Sequence, residues 1–408
     1  MKKLLSVLLP VVLLFGFVSC NEDPPIIPGL TKSRIYVETE PEYATVTFNN
    51  KSVNDITPLL LDELEPGFYK FSFKLDKHKD TTVYLFTRRG IYDTLFVEIL
   101  EAPQYWWTIY NPQNSQLPTK SINKLVVDKT NTLYLLSGSH GIIKYDGTNW
   151  NVINTSNSGI PSDVVNDLII EDSGVMWVAT SKGFAKFDGS NWIVFNMANS
   201  GLPGNYITTL ALDKNRILWL GTYGHGLLKF DGVSFTNYTI YNSELPANQV
   251  TSIAVDNNNN KWIGTWGEGT ARFDGLNWEV FNFLKSHTLS NYVSYVLIDK
   301  GNTVWIGSGS GNSPGGLTKI EGGIITNYSL QNSMIPGRIV TSIAIDSKNT
   351  KWICTSDGGV AMLRDKKWKV YNDFNSGLPM NSAVSIAVDL QDNKWIISDG
   401  LAKYIGQK

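Results

Sequence analysis

The stretch Val250-Thr-Ser-Ile-Ala-Val-Asp256, continued by Lys261-Trp-Ile-Gly-Thr265, Gly269-Thr-Ala-Arg-Phe273 and Trp278-Glu-Val-Phe281, decides the fold. Each piece alternates apolar and polar side chains with period two, and Asn, Asp or Gly residues separate it from the next. The stretch therefore reads as four short strands, A to D. A unit of about 43 residues with four strands cannot bury both faces alone, and has to stack against copies of itself.

Those copies are present. An aspartate closes strand A at Asp128, Asp172, Asp213, Asp256, Asp299, Asp346 and Asp389. Five or six residues later stands an aromatic: Tyr134, Trp177, Trp219, Trp262, Trp305, Trp352 or Trp395. Three residues beyond it stands a hydroxyl: Ser137, Thr180, Thr222, Thr265, Ser308, Thr355 or Ser398, expected to bond adjacent strands. Strand D recurs at Trp150, Trp192, Phe235, Trp278, Ile324-Ile325 and Trp368, and a further copy, Trp107-Thr-Ile-Tyr110, precedes the first strand A. The last repeat has strands A, B and C only, so Trp107–Tyr110 supplies its fourth. This predicts an all-β chain with a seven-bladed β-propeller over 105–408, closed by a blade shared between its two ends. Six blades with frayed ends would leave four well-patterned strands unused.

The wording of the repeat, in Leu202-Pro203, Trp219-Leu-Gly-Thr222, Gly226-Leu-Leu-Lys-Phe-Asp-Gly232, Leu378-Pro379 and Trp395-Ile396, resembles the two-component regulator propeller family. The resemblance implies a periplasmic ligand-binding sensor type of propeller. The membrane helix, histidine kinase and DNA-binding regions of such sensors are not in this sequence, so it implies the fold and not the signalling role.

Upstream, residues 1–19 read as a signal peptide: Lys2 and Lys3 precede an apolar run from Leu4 to Val18 that is too short to span a bilayer. Phe17-Val18-Ser19-Cys20 resembles a bacterial lipoprotein box, which implies acylation at Cys20 and a Gram-negative outer-membrane lipoprotein, periplasmic or surface-exposed. The other reading is ordinary secretion with Cys20 as a free thiol. Residues 20–33 read as a lipidated flexible tether. Residues 34–100 carry five or six short strands, a small sandwich-like β domain. Its Pro41-Glu-Tyr-Ala44, Thr57-Pro58 and Pro66-Gly67 resemble the PEGA domain, an envelope accessory module without chemistry of its own. Asp62, Glu63, Glu65 and the charges from Lys74 to Asp80 read as solvated turns.

Charge narrows the partners. With 35 basic and 37 acidic side chains in 408 residues there is no basic surplus for nucleic acid. Two cysteines make neither a disulfide framework nor a thiolate metal site. No cofactor or metal is expected, and a monomeric propeller is.

In a propeller of this strand order the A-to-B and C-to-D turns share one face, where Asp-Gly pairs at 146–147, 188–189, 231–232 and 274–275 read as turn caps. The B-to-C turns and D-to-A loops share the other, which varies. It offers His140, Tyr206, Tyr223, His225, Trp266, Glu268, Tyr292 and Asn312 as ligand-binding candidates. Aromatic rings beside hydroxyls, amides and acids suit a glycan or an envelope protein. Packing of Tyr223 and Trp266 over neighbouring blades is the plainer alternative. His140, His225 and Glu268 are the only plausible acid–base set, which leaves a lyase or hydrolase as the second function class and a structural scaffold as the third. The reading favoured is a non-enzymatic binding protein with no catalytic residue.

Overall fold

A computed structural model describes residues 32–40, 42, 44–65, 67–75, 80–87, 92–98, 106–311 and 313–406. The signal peptide, Cys20, the tether up to residue 31 and Asn312 lie outside the described residues. The chain divides between residues 105 and 106 into two units, each described by itself.

The first unit contains β1 (Ser33–Glu40), β2 (Thr45–Phe48), β3 (Lys51–Ile56), β4 (Leu59–Leu64), β5 (Gly67–Lys74), β6 (Thr81–Thr87) and β7 (Tyr92–Glu98). They form two sheets, ordered β4-β1-β7 and β3-β2-β5-β6, with β1 parallel to β7. Alternation sets the core: Ile35 and Val37, Phe71 and Phe73, and Leu95 and Val97 point inward in pairs two residues apart. Asn49 and Asn50 both take positive φ in the tight β2–β3 turn, a conformation that Asn tolerates. The seven strands exceed the five or six expected. The run Leu59–Leu61 hides the alternation of β4, and its exposed Asp62 and Glu63 belong to a strand and not to a turn.

The second unit is the expected propeller. Strand β8 (Trp107–Tyr110) comes first, then blade 1 with β9 (Ile122–Val127), β10 (Leu133–Ser137), β11 (Ile142–Tyr145) and β12 (Trp150–Ile153). Strands β13 to β32 repeat the order in blades 2 to 6, over residues 165–195, 207–238, 250–281, 293–328 and 340–371. Blade 7 is β33 (Ser385–Val388), β34 (Lys394–Ile397), β35 (Leu401–Tyr404) and β8, with Tyr404 opposite Trp107 and Leu401 opposite Tyr110. Seven apolar clusters make the core, one at each blade junction. Each blade thus buries its faces against its two neighbours, as a solitary four-stranded sheet cannot.

Packing at these junctions is tight enough to fix residue volume. A Cβ added at Gly221, Gly264 or Gly307 would stand 2.6–2.7 Å from a methyl of Val250, Val293 or Val340 in the next blade. Blade 6 has Cys354 at this position, and the facing residue is correspondingly small, the fully buried Ala383. Burial pushes the Cys354 thiol far above its ordinary pKa, so it acts as a small apolar group. Ala383→Val alone is expected to overpack the site and cost about 1–3 kcal/mol. Cys354→Gly with Ala383→Val reproduces the Gly–Val pairing and should recover most of that loss; a double-mutant cycle by urea unfolding measures it.

Hydroxyl and amide side chains stitch the innermost strands together. Asn166, Thr208, Thr251, Ser294 and Thr341 each donate to the carbonyl of Ile207, Val250, Val293, Val340 and Ala383 in the following blade. Five successive junctions share this bond.

Candidate functional site

The repeated acid and aromatic residues form one device. The second carboxylate oxygen of Asp213, Asp256, Asp299, Asp346 and Asp389 accepts from the indole Nε1 of Trp219, Trp262, Trp305, Trp352 and Trp395 at 2.8–3.1 Å, while the first accepts backbone amides of the A-to-B turn. In blade 2 the expected aspartate is replaced: Glu171, not Asp172, bonds Trp177, because only Glu171 keeps the six-residue spacing that closes the turn. Asp172 is exposed. Burial alone would raise the carboxyls of Asp213, Asp256, Asp299 and Asp346. The indole and amide donors, with a lysine at every one but Asp256, outweigh it, and all four lie below the usual carboxylate range.

Three junctions add a cation. Lys261, Lys351 and Lys394 open strand B of the next blade, are buried, and place Nζ 3.3–3.6 Å from Asp213, Asp299 and Asp346. The same ammonium groups lie 4.8–5.0 Å from the rings of Trp219, Trp305 and Trp352. These latches are absent from the sequence reading, where a lysine beside a tryptophan passes for a surface residue.

The repeated hydroxyls are local. Thr180, Thr222, Thr265 and Thr355 donate to the glycine carbonyl at the start of strand C of their own blade, and Ser308 to Gly316 within it; Ser137 and Ser398 donate to the carbonyls of Ser121 and Met380. The Asp-Gly turns also behave structurally. Asp274 accepts from the amides of Asn277 and Leu276, which pulls its carboxyl down to about 2.

A polar belt crosses the axis. Four residues before each acid of the column stand Lys124, Asp167, Thr209, Ser252, Tyr295, Ser342 and Ser385. Lys124 Nζ lies 2.5 Å from Asp167, whose other oxygen accepts from Thr209 Oγ1 and the Leu210 amide at 2.9 Å. Burial alone would lower the Lys124 pKa, and the Asp167 carboxylate reverses it to a raised value. Ser252 and Ser342 accept from the Val296 and Ile386 amides of the following blades. Aligning the repeats on their acid puts these residues in one column, which was the available signal.

On the variable face the structure brings four candidates together in two pairs. Tyr206 and Tyr223, half exposed, tilt against each other at 5.3 Å within blade 3. Trp266 of blade 4 meets Tyr292 of blade 5 edge-on at 5.2 Å, yet remains 44% exposed. Trp266 thus does lie against a neighbouring blade, whereas Tyr223 stays over its own. The His225 ring covers Gly204, where an added Cβ would come within 2.1 Å of it. His140 is exposed and hydrogen-bonded to Ser139. Glu268 is exposed, and no hydrogen bond or ion pair among the described residues joins it to either histidine. Among the described residues no group of three His, Cys, Asp or Glu is placed to hold a metal.

The blade-5 hairpin, Val304–Ser310 with Ser313–Glu321, overreaches its neighbours as the long repeat spacing predicts. Gly309 takes φ 130° there and donates to Tyr292, and Gly315 donates to Arg338 at 2.8 Å. Between hairpin and loop lies a recess of about 250 Å³ lined by Pro314, Gly315, Leu330, Gln331 and Arg338, none of them among the candidates.

Comparison with known proteins agrees with the architecture. No curated protein matches the chain significantly. The extracellular domain of a putative hybrid two-component system from B. thetaiotaomicron superposes with a TM-score of 0.64 at 17% identity, over 86% of this chain and 53% of that one. A second such domain from the same organism gives 0.58 at 18%, over 73% and 39%. The chain thus spans about half, or less, of the length of these relatives. Virginiamycin B lyase from Staphylococcus aureus gives 0.57 at 14%, over 73% of this chain and 98% of the lyase. At these identities the likeness is one of fold. Residues 201–224 and 244–267, which run through strands A and B of blades 3 and 4 and end just past Tyr223 and Trp266, match the family model described as "Two component regulator propeller".

Proposed function

We propose that the chain is a lipid-anchored envelope protein, acylated at Cys20, in which a PEGA-like spacer carries a non-enzymatic, monomeric recognition propeller. The ligand is a glycan or a protein, bound on the face of B-to-C turns and D-to-A loops, and a glycan is favoured. The observation that carries this reading is the pair of exposed aromatic clusters, Tyr206/Tyr223 and Trp266/Tyr292, on consecutive blades. Two rigid ring surfaces set among hydroxyls and amides suit the carbon faces of sugars at small ordering cost. His140, His225, Glu268 and Asn312 would line the same face. The extracellular placement of the sensor domains it resembles agrees with an envelope location. No helix among the described residues is long and apolar enough to cross a membrane; the proposed anchor is the lipid on Cys20. The lyase reading draws only on fold likeness, and its three acid–base candidates stand unconnected on separate turns.

Residues 21–408 applied to an array of glycans and peptidoglycan fragments test the proposal. Binding is expected, and Trp266→Ala with Tyr223→Ala should weaken it tenfold or more, since each lost ring contact is worth about 1 kcal/mol. An array without hits sinks the glycan version and makes a protein partner, sought by surface crosslinking, the leading idea.

A further inference from the structure

The junction between blades 7 and 1 is one of four where strand B opens without a lysine. At three other junctions a lysine opening strand B places its ammonium against the Asp–Trp pair of the preceding blade. Leu133 holds that position in blade 1: it faces Tyr145 across the ladder, as Lys261 faces Phe273 and Lys351 faces Leu363. A cavity of about 130 Å³ opens at this spot, lined by Leu133, Tyr145, Asp146, Asp389, Trp395 and Lys403 among others. Asn393 of the same turn donates to Asp389 at 2.8 Å, but it brings no charge.

The lining therefore carries two carboxylates and one ammonium. Lys403 lies 4.9 Å over the Trp395 ring, from strand C of the same blade. Its presence leaves room for a second cation, because in blade 5 Lys319 occupies the matching position while Lys351 also lies over Trp305. We propose that this cavity takes a primary ammonium on a short alkyl stem, the chemistry of a lysine side chain or a polyamine. Asp389 and Asp146 attract the charge, the Trp395 face receives it, and Leu133 with Tyr145 covers the stem. The site is independent of the glycan-binding face.

The test follows the Trp395 indole ¹⁵N–¹H resonance of the 21–408 protein during titration, with Trp395→Phe to assign it. N-acetyl-lysine methylamide should give a saturable shift with roughly millimolar affinity, and the neutral N-acetyl-norleucine methylamide should give none. Leu133→Lys fills the cavity from within and should abolish the shift. Asp146→Asn, which retains the turn cap, should weaken binding about fivefold at low salt, and serves alone if Leu133→Lys does not fold. Tighter binding of spermidine than of the lysine amide would identify a free polyamine as the source, and the reverse a partner's lysine. Equal shifts from norleucine, no shift at all, or a shift that persists in folded Leu133→Lys overturns the proposal.

Discussion

Trp107→Ala is expected to lower the unfolding free energy of the propeller by about 3–5 kcal/mol, and deletion of β8 by more. Trp107 is 7% exposed, packs on Tyr371 and Tyr404 at 6.1 and 4.9 Å, and lies in the register that closes blade 7. Its indole Nε1 finds no hydrogen-bond partner among the described residues, so Trp107→Phe, which keeps the ring contact, should cost much less. Without β8 the outer edge of β35 is open, a template for pairing with another chain. Such a protein should aggregate at moderate concentration, and a peptide covering residues 105–112 added in trans should restore it. Urea unfolding and size-exclusion chromatography read both effects. A loss below about 1 kcal/mol for Trp107→Ala would show that the shared blade is not what closes the ring.

The second large effect lies at the latch between blades 5 and 6. Asp299→Ala strips Lys351 of its carboxylate and leaves the Trp305 indole and the Gly301 and Thr303 amides without an acceptor. A buried ammonium stripped of its countercharge costs about 3–5 kcal/mol, and Lys351 keeps only Asn349 and the Trp305 ring among the described residues. Removing the cation is milder, because Asp299 keeps its three N–H donors. Blade 4 has no lysine opposite, only Val304, and there Asn260 donates to Asp256 instead. Lys351→Val with Thr303→Asn copies that arrangement and should come within about 1 kcal/mol of the natural protein. The depressed Asp213, Asp256, Asp299 and Asp346 also set an acid limit. Their folded pKa values lie below the unfolded value of about 3.9, so their contribution is fully present above it. It is lost as the pH falls from there through the lowered values. An unfolding midpoint in urea that does not move between pH 5 and pH 3 would contradict this assignment.

The architecture was legible because a ring of like units repeats its turn chemistry. Acid, aromatic and hydroxyl sit at fixed offsets, and each offset corresponds to a bond. The reading slipped where two acids stand side by side, at Glu171 and Asp172, since only the bond to Trp177 tells them apart. It also passed over Lys261, Lys351 and Lys394, whose partners lie in the preceding blade and cannot be seen from spacing within one repeat. Of the candidate site, the face was legible and the pairing was not. Tyr206 and Tyr223 meet within a blade, but Trp266 and Tyr292 meet because the backbone of the blade-4 turn bonds the loop entering blade 5. Pattern within one strand carries no information about such a cross-blade meeting. The Arg338 recess arises from a hairpin whose extra length was visible and whose shape was not.

The belt on the axis marks three of the blades. A ring of near-identical modules is open to slippage: gain or loss of a repeat, or exchange of a blade with another chain, leaves the outer contacts almost unchanged. The pair Lys124–Asp167 occurs once, between blades 1 and 2, and Tyr295 stands alone among small hydroxyl residues. Separating these two blades would leave the half-buried Lys124 ammonium among hydroxyl residues, with no carboxylate to receive it. Order among interchangeable parts is thus written in three side chains at the centre, where every blade meets its neighbours and miscounting is most costly.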